Sequence, residues 1–401
     1  MSWPASNQRA SSSSTSRLLC ALALFALFIT PAGAQSPVHT GRFPAGPNDG
    51  ITDVPGVRVG QVTFIEGEGA LNPGHGPFRT GATAIVPNGD PWTQNVAAAF
   101  FTENGNGEFT GAHYVEEFGY LQTPIVLTDT LDVGRAYDGV VDWMIKQHPN
   151  IGVRGGVPLP IVAECDDQGF NDIQGRRVHP SDVVTMLDGA RPGQFSRGDV
   201  GAGTGMHAFG FKGGIGSASR VLDKSLGGYT LGALVNVNTG INNRAELVVD
   251  GVHVGRALLH ELLPVFPNRR SAEIRGRASD GSIIVVIGTD APLDPLVLKA
   301  IAKRVTLGLG RVGMISHTSS GDLFLAFSTT RTISQGEQTG GKPLETDTDR
   351  IDALFEATVD ATEAAVYDAL FSAKTMTGAN GITLYGLPWE RVQPLLQSGR
   401  R

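Results

Sequence analysis

The residues with most chemical promise stand where strands begin or end. Asp280-Gly281-Ser282 precedes Ile283-Ile284-Val285-Val286-Ile287. That β-branched run predicts a strand buried on both faces, with Ser282 as its first residue. A serine so placed has a use that a mid-loop serine lacks. If the bond before it is cut, a hydroxyl and a new α-amine share one residue at the end of a rigid element. Such an amine has an ordinary pKa of about 7.7–8. It can take the hydroxyl's proton, as in enzymes that pair a hydroxyl nucleophile with an N-terminal amine. Gly281, lacking a Cβ, tolerates the bent backbone that brings Oγ toward the carbonyl behind it. The plain alternative is a turn that leads into a strand and nothing more.

Three other strand ends carry polar groups. "LPIVAECDDQGFNDI" (159–173) delivers Glu164, Cys165, Asp166 and Asp167 at a strand exit. "YTLGALVNVNTG" (229–240) ends in Asn238-Thr239-Gly240, and "HTSSGDLFLAFST" (317–329) opens with Ser319, Ser320 and Asp322. Each also reads as a surface turn. "GAGTGMHAFGFKGGIGSASR" (201–220) is the most glycine-dense stretch, but no G-K-[ST] occurs in it. A Walker-type phosphate loop is therefore not expected; the stretch offers free backbone N–H groups near a substrate. Without an HExxH or a Cys/His cluster, no metal site and no cofactor are expected.

The elements that must position these groups come in mixed order. Residues 51–63 predict a Pro-Gly turn into a strand, and 81–87 and 95–102 predict two more, with Asn88-Gly89 as a hairpin signal between them. Residues 108–120 have a weak helical period. The strand at 123–130 runs into a helix over about 131–147, with Thr130 as its cap. Residues 268–280 read as a polar connector leading to Ser282. Asp294-Pro295 predicts an N-cap with proline at the first helical position, followed by Val297, Ile301 and Val305 at fourfold spacing. Ile351, Leu354, Phe355, Val359, Val366 and Leu370 share a face of the best amphipathic helix in the chain. Apolar faces suffice for stacked sheets under helices.

Residues 1–34 read as an export signal. Arg9 and Arg17 are their only charges, Leu18 to Ile29 is an apolar core too short to span a bilayer, and Ala32-Gly33-Ala34 is a small-residue cleavage site. A periplasmic or secreted protein is expected, with no membrane contact after signal removal. The formal charge of −7 becomes −9 once both arginines leave, which argues against nucleic acid as a partner. Of two cysteines only Cys165 survives processing, so no internal disulfide is available and the fold rests on its core.

Taken together, "ITDVPGVRVG", "GAGTGM…KGGIGSAS", "DGSIIVVIGTDAPL", "SGDLFLAFST" and "TMTGANG" (375–381) resemble the DmpA-type family of β-peptidyl aminopeptidases and L-aminopeptidase/D-esterase-amidases. The resemblance covers nearly the whole mature chain in order. It implies an α/β fold, a four-layer αββα sandwich like that of N-terminal-nucleophile hydrolases but with a distinct topology. It also implies an exported serine aminopeptidase, cut by itself between Gly281 and Ser282 into subunits 35–281 and 282–401, and assembled as a homo-oligomer, a tetramer of two-chain units. The implied substrates are short peptides, amides or esters with a free α-, D- or β-amine. By resemblance Ser282 is the nucleophile, Ser320 a second serine bonded to it, Asp322 a carboxylate position, Asn238 an oxyanion-hole amide and Glu164 the acceptor of the substrate ammonium. Paired carboxylates such as Glu164 and Asp322 would select that ammonium. Where some relatives carry a tyrosine near the reacting carbonyl this chain has Asp166, an extra carboxylate that suggests cationic substrates. Two other classes fit the residues. One is a Ser-His-Asp hydrolase using Ser320 with His317 or His207, although no G-x-S-x-G elbow occurs. The other is an exported amine- or peptide-binding protein.

Overall fold

The computed structural model describes residues 36–269, 271–272, 281–334, 337–340 and 347–399. The expected export signal and residues 273–280 of the polar connector lie outside the described residues. In chain order the strands are β1 (Arg58–Glu66), β2 (Phe78–Val86), β3 (Asn95–Gly105), β4 (Tyr120–Leu121), β5 (Ile125–Thr128) and β6 (Ile161–Glu164). There follow β7 (His207–Ala208), β8 (Phe211–Lys212), β9 (Gly214–Val221), β10 (Thr230–Asn238), β11 (Ser282–Thr289), β12 (Gly321–Ser334) and β13 (Glu337–Gly340). The helices used below are α1 (Ala112–Phe118), α2 (Val133–Gln147), α3 (Pro180–Asp188), α4 (Val254–Ala257), α5 (Pro295–Arg311) and α6 (Thr348–Ser372).

Two sheets form. One has four strands in the order β1-β2-β5-β6; the other has seven, in the order β4-β3-β12-β11-β10-β9 with β13 on β12. Their facing sides meet through Ile85, Leu127, Ile161, Leu234, Ile284, Val286 and Leu325. Helices α2 and α3 cover the outer side of the small sheet through Val140, Trp143 and Val183. Helices α5 and α6 cover the outer side of the large one through Ile301, Val305, Leu354 and Val366. The layers are thus α, β, β and α.

Strand β11 lies deep in this stack, and its composition explains why. All eight of its residues are buried. Ile283, Val285 and Ile287 face the helices, while Ile284 and Val286 face the other sheet. Full burial of such a side chain contributes about 1.5–3 kcal/mol, so a run apolar on both faces belongs in the centre of a sandwich.

Four local expectations differ from the structure. Asn88-Gly89 makes no hairpin: β2 and β3 lie in different sheets. Neither residue has the positive φ of a type I′ turn, and the Asn88 amide instead donates to the Gln94 carbonyl at 2.8 Å inside a longer crossover. The cap before α2 is Asp129, whose Oδ1 accepts the N–H groups of Leu131 and Asp132 at 3.0 Å each, which frees Thr130 for another partner. Asp294 stands at the N-cap of α5 but its carboxylate binds Arg331 Nε at 2.7 Å. Finally, α6 is not one-sided. Every residue from Ala357 to Leu370 is buried, because its carboxylates have partners of their own: Asp360 and Glu363 with Arg311, and Asp368 with Arg197.

Candidate active site

Strand register builds the site. Antiparallel pairing of β10 with β11 sets Asn238 opposite Ser282, and parallel pairing of β11 with β12 sets Gly321 beside it. Side chains alternate along a strand, so Ser282 shares a face with Ile284 and Asn238 with Leu234, both of which look into the gap between the sheets. Ser282 Oγ donates to the Gly281 carbonyl at 2.9 Å and accepts the Gly321 N–H at 3.3 Å. Gly281 has φ of 109°, and a Cβ there would stand 2.3 Å from the Thr239 carbonyl carbon. Only glycine meets both conditions.

Asn238 is a buried strand residue and not a left-handed turn residue. Its Oδ1 accepts the His207 N–H at 3.1 Å and its Nδ2 donates to the Asp166 carbonyl at 2.8 Å. Glu164, the last residue of β6, is not a solvated charge but is 4% exposed. Its Oε1 accepts the Glu108 N–H at 2.9 Å and its Oε2 accepts the Thr130 hydroxyl. Burial pushes the Glu164 carboxyl above its ordinary range; those two bonds oppose the shift and the charge of Asp166 adds to it. Asp166 is likewise raised by burial and held by Gln168, whose N–H and Nε2 donate at 2.8 and 2.7 Å.

Ser282, Glu164 and Asp166 open into one cleft of about 330 Å³, walled by Asn106, Gly107, Glu108, Thr130 and Ser319. Among the described residues its lining holds carboxylates and no lysine, arginine or histidine. Asp322 is absent from it. The side chain of Asp322 accepts from Ser320 Oγ at 2.6 Å, and its surroundings are Ser316 and His317. Glu164 and Asp322 therefore do not form the expected pair around one ammonium; Asp166 is the carboxylate that joins Glu164. Burial raises the Asp322 carboxyl and the Ser320 bond opposes the shift. Ser320 stands next to Gly321, and the bond its hydroxyl donates runs to Asp322, where a bond to Ser282 is expected. Cys165 is fully buried, and burial pushes its thiol well up, which leaves it without nucleophilic character.

Among the described residues no relay of serine, imidazole and carboxylate forms around Ser320. His317 Nε2 pairs with Glu246 at 3.0 Å. His207 is buried, which pushes its imidazole down to about 4. Among the described residues no cluster suited to a metal ion occurs.

The sequence reading has Thr130 as a cap and not as a partner of Glu164, and it has no part for the β3 exit loop. The side chain of Asn104 donates to the carbonyls of His317 and Ser320 at 2.7 Å each, and that of Asn106 to the Ser319 carbonyl at 2.6 Å. This loop clamps the mouth of β12. Its two Asn-Gly dipeptides, at 104–105 and 106–107, were the available signal.

Comparison with known proteins gives the family and the fold. Residues 49–384 match the model of peptidase family S58. The chain is 41% identical over 362 residues, 89% of each chain, to the β-peptidyl aminopeptidase BapA of Sphingosinicella microcystinivorans. Among solved structures it is similar to a Burkholderia sp. β-aminopeptidase, with a TM-score of 0.79 and 37% identity over 90% of this chain and 97% of that one. It is similar also to the L-aminopeptidase D-Ala-esterase/amidase of Ochrobactrum anthropi, a variant of the Ntn-hydrolase fold, with a TM-score of 0.78 and 35% identity over 90% and 97%. Fold and likeness define an Ntn-hydrolase-like aminopeptidase, hence a hydrolase. The chain belongs to peptidase family S58.

Proposed function

We propose that this aminopeptidase matures by cutting its own Gly281–Ser282 bond and then works through Ser282. The observation that carries the reading is the 2.9 Å contact between Ser282 Oγ and the Gly281 carbonyl, at a left-handed glycine that admits no side chain. In the first step Oγ adds to the Gly281 carbonyl carbon, the C–N bond breaks, and the proton moves to the departing nitrogen. Water opens the resulting ester, leaving a Gly281 carboxylate and a free amine on Ser282. In the mature enzyme Ser282 attacks the substrate carbonyl while its amine takes the hydroxyl proton and gives it to the leaving group. Water then releases the acyl group.

Asn238 Nδ2, opposite Ser282, is the oxyanion donor in this reading, and one such donor is worth about 2.7–4 kcal/mol in comparable sites. Glu164 takes the substrate's free ammonium, which limits the enzyme to unblocked N-termini. Ser320 and Asp322 hold the β12 mouth that supplies the Gly321 N–H. Asp166, in the same cleft, favours substrates with a second positive charge. Substrates are short peptides, amides or esters, with N-terminal β-amino acids favoured by the likeness to a β-peptidyl aminopeptidase. Residues 1–34 direct export to the periplasm or medium, and the two-chain units assemble as homo-oligomers.

A denaturing gel tests the core of this reading. Two bands are expected, the smaller beginning at Ser282. Full activity in a chain intact across that bond would overturn it. Hydrolysis of β- against α-amino-acid amides by the purified protein fixes the substrate class.

A further inference from the structure

Lys212, a charged side chain with no part in the chemistry above, is completely buried beneath the glycine-dense stretch. It sits on β8 opposite His207 of β7. Its Nζ donates to the carbonyls of Gly203, Met206 and Gly213 at 3.1, 2.6 and 3.0 Å. A neutral amine has two N–H bonds to give and an ammonium has three, so three carbonyl acceptors call for the charged form. Burial pushes the group down to about 7, even with the charges of Asp199 and Asp167 opposing the shift.

One of those carbonyls leads to the site. The Met206–His207 peptide accepts Lys212 Nζ at its oxygen and donates its N–H to Asn238 Oδ1 at 3.1 Å. The same oxygen also accepts the Gly213 N–H at 3.1 Å, which fixes the plane of the peptide. A single peptide unit thus separates a buried cation from the amide of Asn238, the residue opposite Ser282. A cation at the oxygen end polarises the unit and makes its N–H a stronger donor, because hydrogen bonds in a chain reinforce one another in a low dielectric. An asparagine amide can turn over. Turned, Asn238 would present Oδ1 where a negative oxygen develops and repel it.

We propose that Lys212 is a positioning residue for the oxyanion hole: through the Met206–His207 peptide it holds Asn238 Oδ1, so that the amide keeps the orientation in which Nδ2 donates to the Asp166 carbonyl at 2.8 Å and has a second N–H to give. The proposal rests on the role given to Asn238 above, and the test separates the two. The charge and the fixed peptide act on the transition state and leave the Glu164 ammonium pocket alone, so kcat is affected and KM is not.

The experiment is a double-mutant cycle on the full exported chain, with kcat normalised to the amount of two-chain protein. Asn238→Ala should lower kcat by about 10²–10³-fold, as for loss of one oxyanion donor. Lys212→Met should lower kcat at least roughly tenfold with KM within about twofold, a partial loss of the same donor. In the Asn238→Ala background Lys212→Met should add less than about a twofold loss, since its effect passes through the missing amide. Equal losses in both backgrounds, or an unchanged kcat in Lys212→Met, would overturn the proposal. An unchanged kcat in Asn238→Ala would instead remove the reading of Asn238 itself. Should Lys212→Met yield no soluble protein, Lys212→Arg, which keeps the charge, runs the same cycle: a smaller kcat loss confined to the Asn238 background supports the role, and a loss in both backgrounds sinks it.

Discussion

Asn238 and Ser282 face each other across an antiparallel strand pair, on the same side of the sheet. One residue brings an amide, the other a hydroxyl, and neither can shift without moving a strand that is buried throughout (β11) or from Leu231 to Asn238 (β10). Rigid elements hold reacting groups more precisely than loops do, so substitutions here should alter chemistry with little effect on folding.

Ser282→Ala should leave the chain in one piece and inactive. Gly281→Ala should behave as a slow precursor, because a Cβ at φ of 109° would strike the Thr239 backbone. Mass spectrometry of the purified variants reads both outcomes. Clean two-chain protein from Ser282→Ala would remove Ser282 from the mechanism.

Glu164→Gln should raise KM with kcat nearly unchanged. Hydrogen bonds to charged groups contribute about 1.5–3 kcal/mol, roughly 10- to 100-fold in kcat/KM. The Glu164 carboxyl sits above its ordinary value of 4.5 because it is buried. As pH falls through that raised value the carboxylate becomes neutral and releases the ammonium, so KM rises toward acid pH in the native enzyme. In Glu164→Gln this dependence should flatten; an identical acid limb in both proteins would place the ammonium elsewhere.

Asp166→Asn should narrow any preference for basic over neutral N-terminal residues. The side chain lines the cleft beside Glu164 and Ser282, with no cation among the described lining residues. Turnover of paired basic and neutral amides in native and variant enzyme measures the effect, and an equal ratio in both would leave Asp166 without a role in selection.

Asp167→Asn should change how stability depends on pH. Burial pushes the Asp167 carboxyl from 3.8 up to about 8, with Asn171 opposing and Asp166 adding. Between those values the folded chain holds a proton that the unfolded chain gives up. Stability therefore falls as pH rises across that window, by at most about 1.4 kcal/mol per pH unit for one proton. Urea titrations at several pH values, in the uncut Ser282→Ala background, should show a shallower decline once Asp167 is replaced. Parallel declines would contradict the shift.

Much of this was legible in the sequence, for local reasons. The β-branched run after Ser282 had to be an interior strand, and Pro295 with Ile301 and Val305 had to begin and face a helix. The motifs brought Ser282, Asn238, Glu164 and Asp166 to strand ends, and the fold gathers all four. What could not be read was partnership between distant strands. Asn88-Gly89 carries a local hairpin signal, yet the chain crosses to another sheet there, a choice made by β12 pairing with β3 from more than two hundred residues away. Asp322 has the same charge as Asp166, and only the pleat of β12 decides that it points elsewhere. Thr130 looked like a cap because Asp129, one residue earlier, competes for the same N–H groups and wins them.

The seven-stranded sheet has a mechanical corollary. Strands β10 and β3 precede residue 281, while β11 and β12 follow it, and their order in the sheet is β3, β12, β11, β10. The two later strands sit side by side as a wedge, held on both edges by strands of the earlier half. Snipping the backbone ahead of Ser282 would free an amine without letting either piece drift away.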